Sequence, residues 1–313
     1  MSDDVCWCHA DDSMAILSAF NSEEVEVLGL TTIYGNVPTE MATRNAILLK
    51  NRAGRPDVPV YRGSKTSLRG ASKERIADFV HGSDGFGNTS QKPAIGDPED
   101  GSAAEFIVRI ANEHPGEVVV LALAALTNIA LALQLDPSLP EKLKSVIVLG
   151  GSITVNGNVN PAAEANIYGD PDAANIVFSR VSNCLLLGLD VTHTCIMTTE
   201  DLDNLRGKGQ HGTFLYEISQ FYLQYHRNSY NMEGIYLHDA AAFTAVLHPE
   251  YFEWHSGKVL VVTDGPAKGH TIMDRLQRSW IGSNAWDDCV TIQVALGVDS
   301  PKVVEFVKER MSK

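Results

Sequence analysis

Residues 117–133 read EVVVLALAALTNIALAL. A short β-branched apolar run passes through Leu126-Thr127-Asn128 into apolar residues at helical spacing, the pattern of a strand that feeds a helix. The same pairing recurs through the first half of the chain. Strands are expected at residues 25–33, 59–61, 117–123, 145–149 and 184–187, and helices at 39–50, 103–114, 128–133 and 171–180, each helix following a turn or cap signal. Strands buried on both faces and alternating with helices predict an α/β fold, a single doubly wound, mainly parallel sheet flanked by helices. The second half is more helical, with helices expected at 199–205, 212–227 and 238–247, a strand pair near 251–262 and a closing helix at 301–311. No linker, repeat or low-complexity tract interrupts the chain, so one domain over 1–313 is expected, with 1–10 an atypical N-terminal segment. The Gly/Ser/Asp-rich residues 81–100 are too long for a simple connection and read as a functional loop or lid.

The composition excludes several classes of partner. Among 313 residues, 39 acidic side chains face 25 basic ones, giving a formal charge of −14 with no Lys/Arg block to track phosphates. Nucleic acid and anionic membrane are not expected partners. There is no basic segment leading into an apolar one at the start, and no run of about 18 apolar residues anywhere. The expectation is a cytoplasmic protein, neither secreted nor membrane-spanning. Five cysteines, at positions 6, 8, 184, 195 and 289, are an odd number and suit a reducing compartment. The run Cys6-Trp7-Cys8-His9 lacks a second ligand pair at a useful spacing, so a zinc site is not expected there.

In open α/β sheets ligands bind beyond the carboxyl ends of the strands. That rule selects Asn36 after Tyr34-Gly35, then Leu126-Thr127-Asn128, then Asn158, Glu164 and Asn166 after Gly150-Gly151, and finally Asp190 and His193. His193 reads as a structural hydrogen-bonding partner. Asp11-Asp12 open an apolar helical run, where a helix N-terminus favours negative charge. A hard cation needs oxygens from distant parts of a chain, and Asp239 and the backbone carbonyl of Thr127 are further candidates. Oxygen donors without a Cys/His cluster point to Ca²⁺ or Mg²⁺.

Several short segments, taken in order, resemble the calcium-dependent nucleoside hydrolases, also called inosine-uridine-preferring nucleoside N-ribohydrolases, and their plant and fungal members in particular. They are Asp11-Asp12 with Ser-Met-Ala-Ile, Thr31-Thr32-Ile33-Tyr34-Gly35-Asn36-Val37, Thr43-Arg44-Asn45-Ala46 and His81-Gly82-Ser83-Asp84-Gly85-Phe86-Gly87. Leu126-Thr127-Asn128-Ile129-Ala130, Gly157-Asn158 through Glu164-Ala165-Asn166, Gly188-Leu189-Asp190-Val191-Thr192-His193 and Leu237-His238-Asp239 complete them. The resemblance implies hydrolysis of the N-glycosidic bond of ribonucleosides such as uridine or inosine, through an oxocarbenium-like ribosyl cation attacked by an activated water. It implies bound Ca²⁺ held by Asp12, the Thr127 carbonyl and Asp239, orienting the ribose hydroxyls and lowering the pKa of that water. Asp11 and Asn166 would bind ribose hydroxyls, Asn158 and Glu164 the other end of the sugar, and Asn36 would join the substrate-binding set. His238, immediately before a metal ligand, would serve the leaving base as the catalytic histidine, with His81 and Tyr225 as base-side contacts. The family also implies a homo-oligomer, dimer or tetramer.

The N-terminus departs from the family's Asp-Thr-Asp-Pro-Gly-x-Asp-Asp signature. Aligning the final pair on Asp11-Asp12 puts Val5, Cys6, Trp7, Cys8 and His9 in the first five positions. Trp7 then replaces the Asp that both ligates metal and activates water. The expectation is a first strand that is missing or irregular, whether through an alternative exon boundary or through loss, and an impaired activity. The alternative is a catalytically inactive relative that binds nucleoside or ribose. The small changes to Ala124-Ala125 and Ala240 are expected to be tolerated. A sugar-phosphate enzyme is disfavoured, because no Gly-rich run opens directly into a helix.

Overall fold

The computed structural model describes residues 10–70, 76–276 and 279–313. Trp7, the Cys6-Trp7-Cys8-His9 run and the expected irregular first strand lie outside the described residues. The description therefore begins at α1 (Ala10–Phe20), where every residue from Ala10 to Ala19 is buried, Asp11 and Asp12 among them. β1 (Leu30–Thr32) leads to α2 (Thr39–Arg52), β2 (Val60–Arg62) to the single turn α3 (Asp78–His81), and β3 (Glu99–Ser102) to α4 (Ala103–Glu113). α4 starts at Ser102 because Ser102 and Glu105 satisfy each other's backbone N–H groups in a capping box. Residues 117–133 become β4 (Val119–Ala122) and α5 (Thr127–Leu135). After α6 (Leu139–Lys142) come β5 (Ser145–Leu149), α7 (Ala165–Gly169), α8 (Pro171–Arg180), β6 (Cys184–Leu187) and α9 (Leu189–Thr192). The chain closes through β7 (Ile196–Thr198), α10 (Thr199–Leu205), α11 (Gly212–Tyr230), β8 (Gly234–Tyr236), α12 (His238–Leu247), β9 (Phe252–Val261), β10 (Thr271–Asp274), β11 (Ile292–Val298) and α13 (Ser300–Met311).

Six strands form the main sheet in the order β10-β9-β11-β6-β5-β4, parallel from β11 to β4, with β9 and β10 added antiparallel. Among the described residues β1, β2 and β3 pair in parallel as a separate sheet, and β7 with β8 as an antiparallel ribbon. The fold is thus α/β with a mainly parallel sheet, as the alternation predicts. Period-two burial shows why the sheet is wound on both sides. Val119 and Leu121 of β4, with Ile147 and Leu149 of β5, face a core built from α1, α2, α11, α12 and α13. Val120, Ala122, Val146 and Val148 face the opposite core, built from α4, α5 and α8.

Three expectations change. Of residues 25–33 only Leu30–Thr32 is strand, because Glu23, Glu24 and Glu26 hold the preceding segment at the surface. The pair expected at 251–262 is the one long strand β9, whose partners β10 and β11 come from later in the chain. The 81–100 segment divides: His81 ends α3 inside a cleft, while residues 89–95 line a separate groove beside Asn51 and Arg52. No helix among the described residues is long and apolar enough to cross a membrane.

Candidate active site

The carboxyl ends of β4 and β5 and the N-terminal ends of α1 and α12 meet at one cleft of ≈ 760 Å³, its open mouth included. Asp11, Asn158, Glu164, Asn166 and Asp239 line it, together with His81, Tyr225, His238 and Asn36. Each polar group is held for a local reason. Asp11 Oδ2 accepts the backbone N–H groups of His238 at 2.9 Å and Asp239 at 3.3 Å, so a carboxylate from the first helix caps α12. Glu164 caps α7: its Oε1 accepts from Asn166 N, and its Oε2 from Gly151 N and Ile167 N. Asn166 spends both amide hydrogens on the carbonyls of Leu123 at 2.8 Å and Leu149 at 3.0 Å, which fixes its Oδ1 as the free acceptor. Asn158 accepts from Ala165 N through Oδ1, leaving its amide hydrogens to donate.

One stretch of the wall is aromatic. Tyr222, Tyr225, His226 and Tyr230 lie on one face of α11, and Tyr236 and His193 join them. The wall is continuous: ring centroids are 5.1 Å apart for His81 and Tyr222, 5.1 Å for His226 and Tyr236, and 5.3 Å for Tyr236 and His238. His238 Nδ1 lies 2.7 Å from the buried Thr192 hydroxyl, which orients its ring. His193, expected to be structural, also lines the cleft, against Tyr236 and His238. Tyr222, His226, Tyr230 and Tyr236 were not anticipated. For the three on α11, their spacing with Tyr225 on one helix face was the available signal, although an aromatic stripe reads equally well as core.

The electrostatics are one-sided. Asp239 is buried and its carboxyl is held well above the usual carboxylate range, by burial first and then by Asp12, Asp11 and Glu164. Among the described residues, no Lys or Arg lines the cleft. Burial likewise lowers the pKa of His193, and that of His226 to about 4.

A cation would answer this charge, and the donors near it are carboxylates and a carbonyl, the chemistry that suits a hard ion. Among the described residues, no three His, Cys, Asp or Glu side chains are arranged to hold a metal. Asp12 lies beneath the lining, fully buried, and acts on Asp239. Thr127 is placed elsewhere. It begins α5, outside the cleft, and its hydroxyl donates to Asp170 at 2.7 Å. The chain leaves β4 at Ala122, and the residue beyond the strand end that lines the cleft is Leu123, whose carbonyl accepts from Asn166 at 2.8 Å.

The sequence matches the model of the inosine-uridine preferring nucleoside hydrolase family over residues 4–305. Probable uridine nucleosidase 1 of Oryza sativa subsp. japonica is 50% identical over 300 residues, covering 96% of this chain and 92% of that protein. Uridine nucleosidase 1 of Arabidopsis thaliana is 46% identical over 304 residues, covering 97% and 90%. A solved plant nucleoside hydrolase, PpNRh1, superimposes with a TM-score of 0.97 at 44% identity, covering 99% of this chain and 98% of its own. Carried by nearly the whole length in both sequence and fold, the chain belongs to the inosine-uridine preferring nucleoside hydrolase family, a family of nucleoside N-ribohydrolases.

Proposed function

We propose that this chain hydrolyses the N-glycosidic bond of ribonucleosides to ribose and free base, with uridine the foremost substrate and inosine next. One observation carries the reading: a single cleft is lined both by carboxylates and fixed amides and by a contiguous wall of histidine and tyrosine rings. The carboxylates and amides suit a polyhydroxylated sugar that gains positive charge, and the wall of rings suits a flat heterocycle. The uridine nucleosidases of rice and Arabidopsis support the choice of base.

In this reading Asp11 and the Asn166 Oδ1 accept from ribose hydroxyls, while Asn158 donates to the far end of the sugar and Glu164 holds that loop in place. The acceptors stabilise the ribosyl cation as the bond to the base lengthens. With the Thr192 hydroxyl donating to Nδ1, His238 carries its proton on Nε2 and passes it to the departing base. His81 and Tyr225 flank that base. Asp12, Asp239 and the Leu123 carbonyl would hold a Ca²⁺ ion, the rest of its shell coming from water and substrate. When bound, the ion orients the ribose 2′ and 3′ hydroxyls and lowers the pKa of the attacking water. We also place this protein in the cytoplasm as a homo-oligomer, dimer or tetramer. Cys184, Cys195 and Cys289 are free thiols, as a reducing compartment permits.

The test is incubation with uridine and calcium, followed by measurement of uracil and reducing sugar. Release of both in equal amounts is expected. Absence of product together with absence of any nucleoside-dependent rise in melting temperature would overturn the reading. Trp7 can neither ligate a metal nor take a proton from water, so we expect turnover to be impaired. Trp7→Asp is expected to raise kcat on the order of a hundredfold or more in the same assay, and an unchanged kcat would remove the impairment idea.

A further inference from the structure

The groove beside α2 encloses ≈ 1130 Å³, its open mouth included, and takes no part in the steps above. Arg52 and Lys92 are in its lining, and among the described residues no Asp or Glu is. In a chain with 39 acidic residues against 25 basic ones, two cations that share a groove with no carboxylate reverse the general balance. Arg52 is held in place without being neutralised. Its guanidinium carbon lies 3.9 Å from the centroid of the Phe214 ring, and its Nη2 donates to Gln91 Oε1 across a long 3.5 Å. Glu217 acts on it from beyond ion-pair distance. Burial lowers its pKa, as expected of a charge that water solvates only in part. Lys92 is exposed and has no ion-pair partner among the described residues.

The segment that carries Lys92 has donors to spare. The backbone N–H groups of Ser90, Gln91, Lys92, Ala94 and Ile95 bond to no other described residue. The segment is tied to α2 through an acceptor instead, the Ile95 carbonyl, which takes the Asn51 amide at 2.7 Å. A carboxylate brings one charge and two oxygens, whereas a phosphate monoester brings close to two charges and three terminal oxygens. A guanidinium, an ammonium and a row of unused amides suit the second. Leu48, Pro93 and Ala94 also line the groove, and they offer shelter to an organic group attached to the phosphate.

We propose that this groove is a second binding site, which takes the phosphate of a small phosphate monoester between Arg52 and Lys92 and its organic group against Leu48, Pro93 and Ala94. The cleft is unsuited to such a ligand, because its carboxylates repel a dianion. Binding in the groove does not depend on what the cleft accepts.

Calorimetric titration of the full chain with phenyl phosphate, inorganic phosphate and phenol tests this, at constant ionic strength and about pH 7.5, where the monoester is close to doubly charged. Phenyl phosphate is expected to bind once per chain, about tenfold more tightly than inorganic phosphate because its ring is also buried, with phenol giving no signal. Arg52→Gln and Lys92→Gln are each expected to weaken phenyl phosphate about tenfold, the loss of one charge-assisted bond. Lys144→Gln, at an exposed lysine outside the groove, is expected to leave its affinity unchanged. If loss of the Arg52 contact with Phe214 unfolds the chain, Lys92→Gln carries the test, since Lys92 is exposed. Excess uridine should leave the affinity for phenyl phosphate within about twofold. No binding of phenyl phosphate at millimolar concentration, an equal loss in Lys92→Gln and Lys144→Gln, or displacement by uridine overturns the proposal. Equal affinity for inorganic phosphate overturns the organic carrier and assigns the groove to the free anion.

Discussion

A histidine enclosed by four tyrosines shows how much a single residue's state depends on its surroundings. His226 is held neutral because burial opposes its charged form, which lowers its pKa from the ordinary 6.5 to about 4. The unfolded chain, with an ordinary histidine, therefore binds a proton between pH 4 and 6.5 that the folded ring refuses. Stability from this source is complete above about pH 6.5 and is lost as pH falls towards 4, on the order of 3 kcal/mol in all. Urea unfolding at pH 5 and pH 7 should show a smaller pH dependence in His226→Gln than in the wild type. Identical dependence in the two proteins would contradict this account. The residue scale also shows where a sequence misleads. Asp11, Glu164 and Asn166 were legible because they follow strand ends or open helices, and all three line the cleft. Thr127 was selected by the same rule, but the strand ends five residues before it and the residue there that lines the cleft is Leu123. A backbone carbonyl has no sequence signature.

At the scale of elements, boundaries were legible wherever a cap or a proline marks them. Residues 145–149, 171–180, 184–187, 199–205 and 238–247 form elements with the expected ends. At α8, Asp170 precedes Pro171, whose missing N–H would be unpaired in any case. Asp170 does more than cap. Its Oδ1 accepts from Ala173 N at 3.1 Å, and its Oδ2 from Leu68 N at 2.8 Å and the Thr127 hydroxyl at 2.7 Å, all with the side chain 1% exposed. Asp170→Ala removes a cap and the acceptor of the half-buried Leu68 N–H and the buried Thr127 hydroxyl, a loss of about 3 kcal/mol. The melting temperature should fall by roughly 5 °C, while the KM for uridine stays within about twofold because Asp170 does not line the cleft. An unchanged melting temperature would show that these bonds carry no net stability. Elements whose partners come from far along the chain were not legible. β3, with the sequence EDGS, has no apolar signal, and β10 exists by pairing with β9.

For the molecule as a whole, the cleft joins segments that the chain keeps far apart. Asp12 on α1 and Asp239 on α12 are buried close enough for one to raise the pKa of the other. An ion held by both would bind only the folded chain, so millimolar Ca²⁺ is expected to raise the wild-type melting temperature by a few degrees. It should have little effect on Asp239→Asn, and a scan with and without chelator reads the difference. No shift in the wild type would count against calcium at these carboxylates. The sequence by itself determined the α/β class, the parallel strands, most helix ends and a set of polar residues at strand ends. These follow from periodicity, caps and turns, which are local. Only the tertiary structure decided which of those residues meet. The Asp11 carboxylate reaches the His238 N–H across 227 positions of chain, and four tyrosines from α11 and β8 close around His226. Charge repulsion, ring packing and the sense of a buried hydrogen bond act through space over a few ångströms, and sequence order does not record that distance.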